Sequence, residues 1–258
     1  MSISIILPTY NEAENLKILI PKIIIELNHL KISEFEIIVV DDNSSDDTEN
    51  ILSSLSKENN KVQFIIRKEK PSLPMSIYEG VKKAEMKNVM WLDADGSMDA
   101  ESVGKLILSQ RNNPSSAVIG SRFVKGGGYK GQTETNKNKK FVLKNIKDSE
   151  DSLLAVFLSY QFNKLLKFLL KSSVKDLTSG FIVAPKKYFN EEMFKNSTYG
   201  EYFINVVLEL EANKIDILEV GYFCKPRMYG ISKTSGSILK LLILSKPYFS
   251  MAMKKRIK

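Results

Sequence analysis

Over the first 120 residues, short unbroken apolar runs alternate with longer segments whose apolar residues recur at helical spacing. Ile3–Leu7 predicts a strand, closed by Pro8, and Glu12 to about Leu30 predicts a helix. Phe35–Val40 is a nearly continuous β-branched run ending at Asp41-Asp42, and Asp46 or Asp47 is placed to cap a helix reaching about Glu58. Val62–Ile66, Val89–Leu92 and Ala117–Gly120 read as further strands, separated by helices over Ser76–Met86 and about Glu101–Arg111. Continuous apolar strands alternating with helices predict an α/β fold, with a mostly parallel sheet covered on both faces.

Beyond residue 120 the pattern changes. Gly126-Gly127-Gly128 opens a lysine-rich polar stretch, so 121–151 predicts a mobile loop over the sheet edge. Leu153–Leu170 is apolar but contains Ser159, Gln161, Asn163, Lys164 and Lys167, and Ile238–Met253 is broken by Lys240, Lys246 and Pro247. A spanning helix needs roughly 20 mostly uncharged residues. Both segments therefore predict amphipathic helices that lie on a bilayer, with packing on the sheet the alternative for the first. A turn at Asp176–Gly180, a helix over about Glu201–Asn213 and a strand at Ile215–Val220 follow. The predicted organisation is one domain over 1–235, including an amphipathic helix at 152–171, then a basic amphipathic tail over 236–258.

Composition narrows the chemistry. The chain has 258 residues, 43% of them hydrophobic, enough for one large domain. Cys224 is the single cysteine, which excludes an intramolecular disulfide and a cysteine-based zinc cluster. His29 is the single histidine and falls on a predicted helix surface, so histidine-dependent nucleophilic catalysis has little to work with. Carboxylates, a metal ion and cations remain.

The formal charge of +8 is unevenly spread: residues 1–60 hold eleven Asp/Glu against four Lys/Arg, whereas 225–258 hold nine Lys/Arg and no acid. Such asymmetry predicts an anionic partner at the C-terminal end, either a phosphorylated substrate or an acidic lipid surface, unless the tail is merely solvated. No recognition helix or aromatic stacking motif accompanies the basic residues, which argues against nucleic acid. The N-terminal apolar run is too short for a signal peptide and lacks its basic residues, so a cytoplasmic location is expected.

In open parallel sheets, ligands bind at the carboxyl ends of the strands. Three polar clusters fall at such ends: Thr9-Tyr10-Asn11-Glu12, Asp41-Asp42-Asn43-Ser44 and Asp93-Ala94-Asp95. In an extended Asp-x-Asp the two carboxylates point the same way, and together they can hold a hard divalent ion completed by phosphate oxygens. An EF-hand is excluded, because Met98 stands where its turn glycine belongs and Gly104 where its bidentate glutamate belongs. A plain Asp95-Gly96 turn is the remaining alternative. Asp41-Asp42 suits a nucleobase N–H or a ribose hydroxyl, and equally a helix cap. The guanidinium groups of Arg122 and Arg227 suit phosphate.

Read in order, Leu7-Pro8-Thr9-Tyr10-Asn11-Glu12, Val39-Val40-Asp41-Asp42-Asn43-Ser44-Ser45-Asp46-Asp47-Thr48, Asp93-Ala94-Asp95 and Gly120-Ser121-Arg122-Phe123 resemble glycosyltransferase family 2. Asp176-Leu177-Thr178-Ser179-Gly180-Phe181 and Arg227-Met228-Tyr229-Gly230-Ile231-Ser232-Lys233 narrow the likeness to the dolichyl- or polyprenyl-phosphate sugar transferases.

The resemblance implies a GT-A fold and the inverting transfer of a hexose from a GDP- or UDP-sugar to a polyprenyl phosphate, with Mg²⁺ or Mn²⁺. The setting it implies is the cytoplasmic face of a membrane, with room for a small anchoring subunit. It also implies that Pro8, Tyr10, Glu12, Val40 and Asp42 cradle the nucleoside. Asp93, Ala94 and Asp95 engage the diphosphate and its metal, with Asp93 and Asp95 as ligands, and Arg122 and Arg227 grip phosphate. Ser159, Asn163 and Lys233 fall on the acceptor side. The sequence departs from the family at Ser97, Ala155, Ile182 and Leu73-Pro74, departures that bear on the acceptor more than on the donor. Asp176 and Glu201 are the carboxylates left to serve as a base should the acceptor be a hydroxyl on a glycan.

Overall fold

The computed structural model describes residues 1–128, 153–230, 245–251 and 253, with the backbone alone for 153–157. The chain runs β1 (Ile3–Thr9), α1 (Ala13–His29), β2 (Phe35–Asp41), α2 (Thr48–Glu58), β3 (Val62–Ile66), α3 (Leu73–Lys83), β4 (Asn88–Trp91), α4 (Ala100–Asn112) and β5 (Ala117–Ser121). Then come α5 (Leu153–Leu170), β6 (Ile182–Pro185), α6 (Tyr202–Ala212) and β7 (Ile217–Gly221). Most of the predicted 121–151 loop, the end of the predicted domain at 231–235, and most of the predicted tail lie outside the described residues.

Among the described residues seven strands form one sheet in the order β3-β2-β1-β4-β6-β5-β7. Alternation along the strands divides the core in two. Ile3, Ile5, Leu7, Ile37 and Val39 face α1, α2 and α4. Ile6, Ile38, Val40 and Trp91 face α3, α5 and α6. The sheet is thus buried on both faces, as its unbroken apolar strands require.

Two elements differ from the sequence expectation. Helix α3 begins at Leu73 rather than Ser76, since Pro74 occupies its first turn, where a fixed φ and a missing N–H cost nothing. It stops at Lys83 because Ala84 is extended. The next two N–H groups go elsewhere: Glu85 donates to buried Glu36 Oε1 at 2.7 Å and Met86 to Ser4 Oγ at 3.2 Å. Strand β6 was not predicted at all. It is four residues long and pairs antiparallel with both β4 and β5. Since β6 runs against its neighbours, the turn that precedes it, 176–181, lies at the same sheet edge as the carboxyl ends of β1, β2, β4 and β5.

Candidate active site

Register brings the first two clusters together: Thr9 pairs with Asp41 across the parallel β1–β2 ladder. Asn11 and Asn43 both take left-handed backbone conformations, φ 57° and 59°, which asparagine tolerates better than most residues. The Asn11 N–H donates to Ser44 Oγ at 2.7 Å and its Oδ1 accepts from the Ser45 N–H at 2.8 Å, lacing the two loops. Asp41 accepts from Ser44 N (2.9 Å) and Oγ (2.5 Å), and burial pushes its carboxyl above the usual range. Asp46 accepts from Thr48 N at 3.1 Å at the head of α2 and from Ala13 N at 3.3 Å at the head of α1. Asp47, at the N-cap position of α2, makes no cap bond and takes Asn50 Nδ2 instead.

Asp42 is buried and forms an ion pair with equally buried Arg67, while its Oδ2 accepts from Ser72 N at 2.9 Å. Pro8 and Val40 are buried beneath the cluster, and Tyr10 stands exposed at its rim. Arg67 went unread in the sequence. It follows Ile66 at the end of β3 and opens the charged run Arg67-Lys68-Glu69-Lys70, so nothing in the sequence sets it apart from its neighbours, and only the fold turns it toward Asp42. Among the described residues, Arg67 Nε is the one buried side-chain nitrogen or oxygen without a hydrogen-bond partner. Its nearest acid beyond Asp42 is Glu69, whose Oε2 lies 3.9 Å from Nε, an ion-pair distance and not a hydrogen bond.

The third cluster sits beside β1. Asp95 Oδ1 accepts from Ser97 N at 2.9 Å, and Gly96 takes φ +78°, so the Asp-Gly turn expected as an alternative is present. The same residue also carries charge toward a partner, because Asp95 Oδ2 lies 3.6 Å from Arg227 Nη1. Turn and site coincide. Ala94 is buried between the two acids. A β-carbon on Gly96 would collide with Met228, whose N–H donates to Asp95 O at 3.1 Å. Residues 225–230 are thereby fastened over the β4–α4 loop.

Arg227 also forms an ion pair with Glu12, and its Nε donates to Tyr229 O at 2.7 Å. Asn15 holds both partners, donating to Glu12 Oε2 at 2.5 Å and accepting from Tyr229 N at 2.9 Å. Desolvation raises the Glu12 carboxyl, Asn15 and Arg227 pull it down, and Asp95 adds a smaller upward push.

Asp93 is exposed at the sheet edge, with Asp95, Glu12, Arg122 and Arg227 as its charged neighbours. Its carboxyl is pushed up to about 7, first by desolvation and then by Asp95 and Glu12, with Arg122 and Arg227 acting in the opposite direction. Of the two arginines, Arg227 is the one that forms ion pairs within this cluster, with Glu12 and Asp95. Tyr199 feels the same cluster, pushed up to about 12 by burial and then by Asp93 and Asp95.

Asp93 and Asp95 fit a divalent cation. Their oxygens are hard donors, and crowding that holds one carboxyl near 7 is relieved by a positive ion. Among the described residues no group of three or more His, Cys, Asp or Glu side chains could hold a metal. Mg²⁺ and its like commonly take only one or two protein carboxylates and fill the remaining positions with phosphate oxygens and water.

Arg122 is paired with an acid across the sheet edge. Its Nε and Nη2 donate to the two oxygens of Asp176 at 2.8 and 2.7 Å, its N–H to Asp176 Oδ2 at 2.9 Å, and Nη2 also to Thr178 Oγ1 at 2.8 Å. Asp176 is fully buried and Arg122 nearly so. Asn163, also buried, donates to Thr178 Oγ1 at 2.9 Å and accepts from Leu177 N at 3.0 Å, so it fastens α5 to this turn. Ser159 is half-buried one helical turn before it. Lys233 lies outside the described residues, as does the Ala155 side chain. Ile182 is fully buried within β6, opposite Trp91.

The sequence profile described as "Glycosyl transferase family 2" matches residues 4–192. A dolichol-phosphate mannosyltransferase of Pyrococcus furiosus is 39% identical over 127 residues, 49% of this chain and 35% of that protein. A dolichol-phosphate mannosyltransferase of Mycosarcoma maydis is 27% identical over 92% of this chain and 75% of its own length. The match to the Pyrococcus protein thus spans about a third of that relative. Among solved structures, glucosyl-3-phosphoglycerate synthase from Mycobacterium tuberculosis in complex with Mn²⁺, uridine diphosphate and phosphoglyceric acid superposes with a TM-score of 0.62. That superposition covers 99% of this chain and 78% of the other at 15% identity, a likeness of fold. With the profile spanning most of its length and the strand-end clusters meeting at one edge, this chain belongs to glycosyl transferase family 2.

Proposed function

We propose that this protein transfers a hexose of mannose or glucose type from a GDP- or UDP-sugar to a polyprenyl phosphate, at the cytoplasmic face of a membrane. In this reading the Asp41–Asp42–Arg67 corner takes the nucleoside, with Pro8, Tyr10 and Val40 around it. Asp93 and Asp95 hold Mg²⁺ or Mn²⁺, which supplies positive charge to the departing diphosphate. Arg227, already poised between Glu12 and Asp95, turns its guanidinium to the same phosphates. Preorganised positive charge at a developing anion is commonly the largest contribution to such a transfer.

The observation that carries the acceptor assignment is the engagement of the two candidate bases. A sugar hydroxyl must lose a proton as it attacks, whereas a phosphate monoester is already anionic at neutral pH. Asp176 is held bidentate by Arg122, and Glu201 accepts from Thr198 N, Thr198 Oγ1 and Tyr199 N at 2.6, 2.8 and 3.0 Å. Both carboxylates are committed to donors within the protein. A nucleophile that arrives deprotonated fits such a site. Direct attack on the anomeric carbon would invert its configuration. The dolichol-phosphate relatives support this acceptor class. A Campylobacter jejuni protein named "GalNAc(5)-diNAcBac-PP-undecaprenol beta-1,3-glucosyltransferase", 28% identical over 75% of this chain, has a lipid-linked glycan in its name and favours the second reading, a glycan hydroxyl acceptor.

The test is transfer of radiolabelled hexose from GDP-mannose, GDP-glucose, UDP-glucose and related donors to polyprenyl phosphate with Mn²⁺ or Mg²⁺. Label should enter an acid-labile, organic-extractable lipid and should stay out when the cation is chelated. Product confined to water-soluble oligosaccharide would move the assignment to a glycan acceptor.

A further inference from the structure

Asn15 is 2% exposed in the first turn of α1, and both hydrogens of its amide reach a partner. Nδ2 donates to Glu12 Oε2 at 2.5 Å and to Tyr229 O at 3.2 Å, while Oδ1 accepts from Tyr229 N at 2.9 Å. An amide that pairs with both the N–H and the C=O of one residue fixes that residue much as an adjoining strand would. These bonds fall on the backbone of Tyr229, whose side chain stands 50% exposed. The same Tyr229 carbonyl accepts from Arg227 Nε at 2.7 Å, and Glu12 pairs with Arg227 Nη2. Asn15 thus governs the guanidinium from two directions, each through an intermediate.

The rest of the segment is fastened elsewhere. Lys225 N donates to Ser97 O at 2.9 Å, Lys225 pairs with Asp99, and Met228 N donates to Asp95 O at 3.1 Å. Those bonds hold 225–228 on the β4–α4 loop whatever stands at position 15. At Gly230 the backbone turns with φ +83°, and a β-carbon there would come within 3.2 Å of Arg227 Nε, so glycine leaves the guanidinium room to move. What Asn15 adds is direction.

We propose that Asn15 is a positioning residue for the transfer: by holding Tyr229 and Glu12 in one frame, it aims Arg227 at the donor diphosphate. Ordering a long side chain on binding costs affinity, and one already held at Nε has that ordering done in advance. The Nε bond to Tyr229 can persist while the Nη groups exchange carboxylate oxygens for phosphate oxygens. This role rests on the proposed engagement of the diphosphate by Arg227.

The test is calorimetric titration of GDP and of UDP, each with Mn²⁺, into wild type, Asn15→Leu, Asn15→Ala, Arg227→Ala and the two double variants. Leu keeps the branched shape of Asn without its polar atoms, and Ala cannot overpack the site. Each single substitution at position 15 should weaken the nucleotide that wild type binds about tenfold. On the Arg227→Ala background the same substitutions should change affinity by less than about twofold, because residues that act through one group are not additive. An undiminished tenfold loss on that background would mean a packing role and overturn the proposal, as would unchanged affinity in both single variants. So would loss of cooperative thermal unfolding with both Leu and Ala, which would make Asn15 a residue of the fold alone. Coupled binding without sugar transfer to polyprenyl phosphate would leave the positioning role standing and remove the acceptor reading. Failure of wild type to bind either nucleotide would overturn both.

Discussion

Glu12 and Arg227 are 215 residues apart in sequence and form an ion pair at the centre of the acidic cluster. Glu12 opens α1 from the end of β1, and Arg227 arrives on the segment after β7, so the pair joins the exits of the first and last strands among the described residues. Asp95 stands within 3.6 Å of the same guanidinium. Arg227→Ala would therefore leave three acids without their nearest cation. Binding of a nucleoside diphosphate should weaken, and transfer should fall about 10²–10³-fold, the usual scale for loss of one preorganised donor. Binding of Mn²⁺ alone should hold or tighten, since positive charge has been removed. Calorimetry of each ligand separately checks both signs; equal weakening of both would mean that the segment had merely come loose.

Arg122 and Asp176 lead to a different expectation. Both are buried, and each satisfies the other through two parallel bonds. Taking the charge from one leaves the other unpaired in a low-dielectric setting, which costs about 3–5 kcal/mol. Asp176→Asn should lower the melting temperature by roughly 10 °C in a domain of this size. An Asp176→Asn protein that melts with wild type but transfers no sugar would instead make Asp176 a base.

Much of this frame was legible beforehand, and for a local reason. Strands such as Phe35–Asp41 are buried on both faces and so are unbroken apolar runs, and a parallel sheet places their polar exits at one edge. What was not legible is non-local. The four residues of β6 carry no period of their own; their place is fixed by pairing with residues 88–91 and 118–119. Arg67 and Asp42 are 25 apart, and Arg122 and Asp176 54 apart, so neither partnership shows in spacing. Of the two arginines expected on phosphate, Arg122 is held in a buried pair with Asp176, and Arg67, which the spacing does not mark, pairs with Asp42.

Asp93 sets the pH dependence. Its carboxyl is held near about 7, above the ordinary 3.8. Between these values the folded protein keeps a proton that the unfolded chain has released, so this group stabilises the ligand-free protein toward the acid end and withdraws that support as pH rises through 7. A cation requires the ionised form and reverses the balance. Affinity for Mn²⁺ should climb by up to about tenfold per pH unit below 7 and flatten above it. Thermal stabilisation by Mn²⁺ at pH 6 and pH 8 reads this directly. Asp93→Asn should show a weak, pH-independent response; an unaltered climb in that variant would place the titration on another group.

Gly200 tests how the C-terminal stretch is held against the catalytic side of the molecule. A β-carbon there would strike the hydroxyl oxygen of Tyr248, the same ring that packs on Phe162. Gly200 directly precedes Glu201 and follows Tyr199, whose hydroxyl feels Asp93 and Asp95. The close approach therefore ties 245–251 to the turn that borders the acidic cluster. Gly200→Ala should cost about 1–3 kcal/mol, the range for overpacking a filled site, and should speed proteolysis of the C-terminal stretch. Tyr248→Phe deletes the colliding oxygen and keeps the ring, so in the double variant stability and protease resistance should return most of the way to wild type. If Gly200→Ala is equally harmful with Phe at 248, the glycine serves the backbone of the turn and not the seat of the tyrosine.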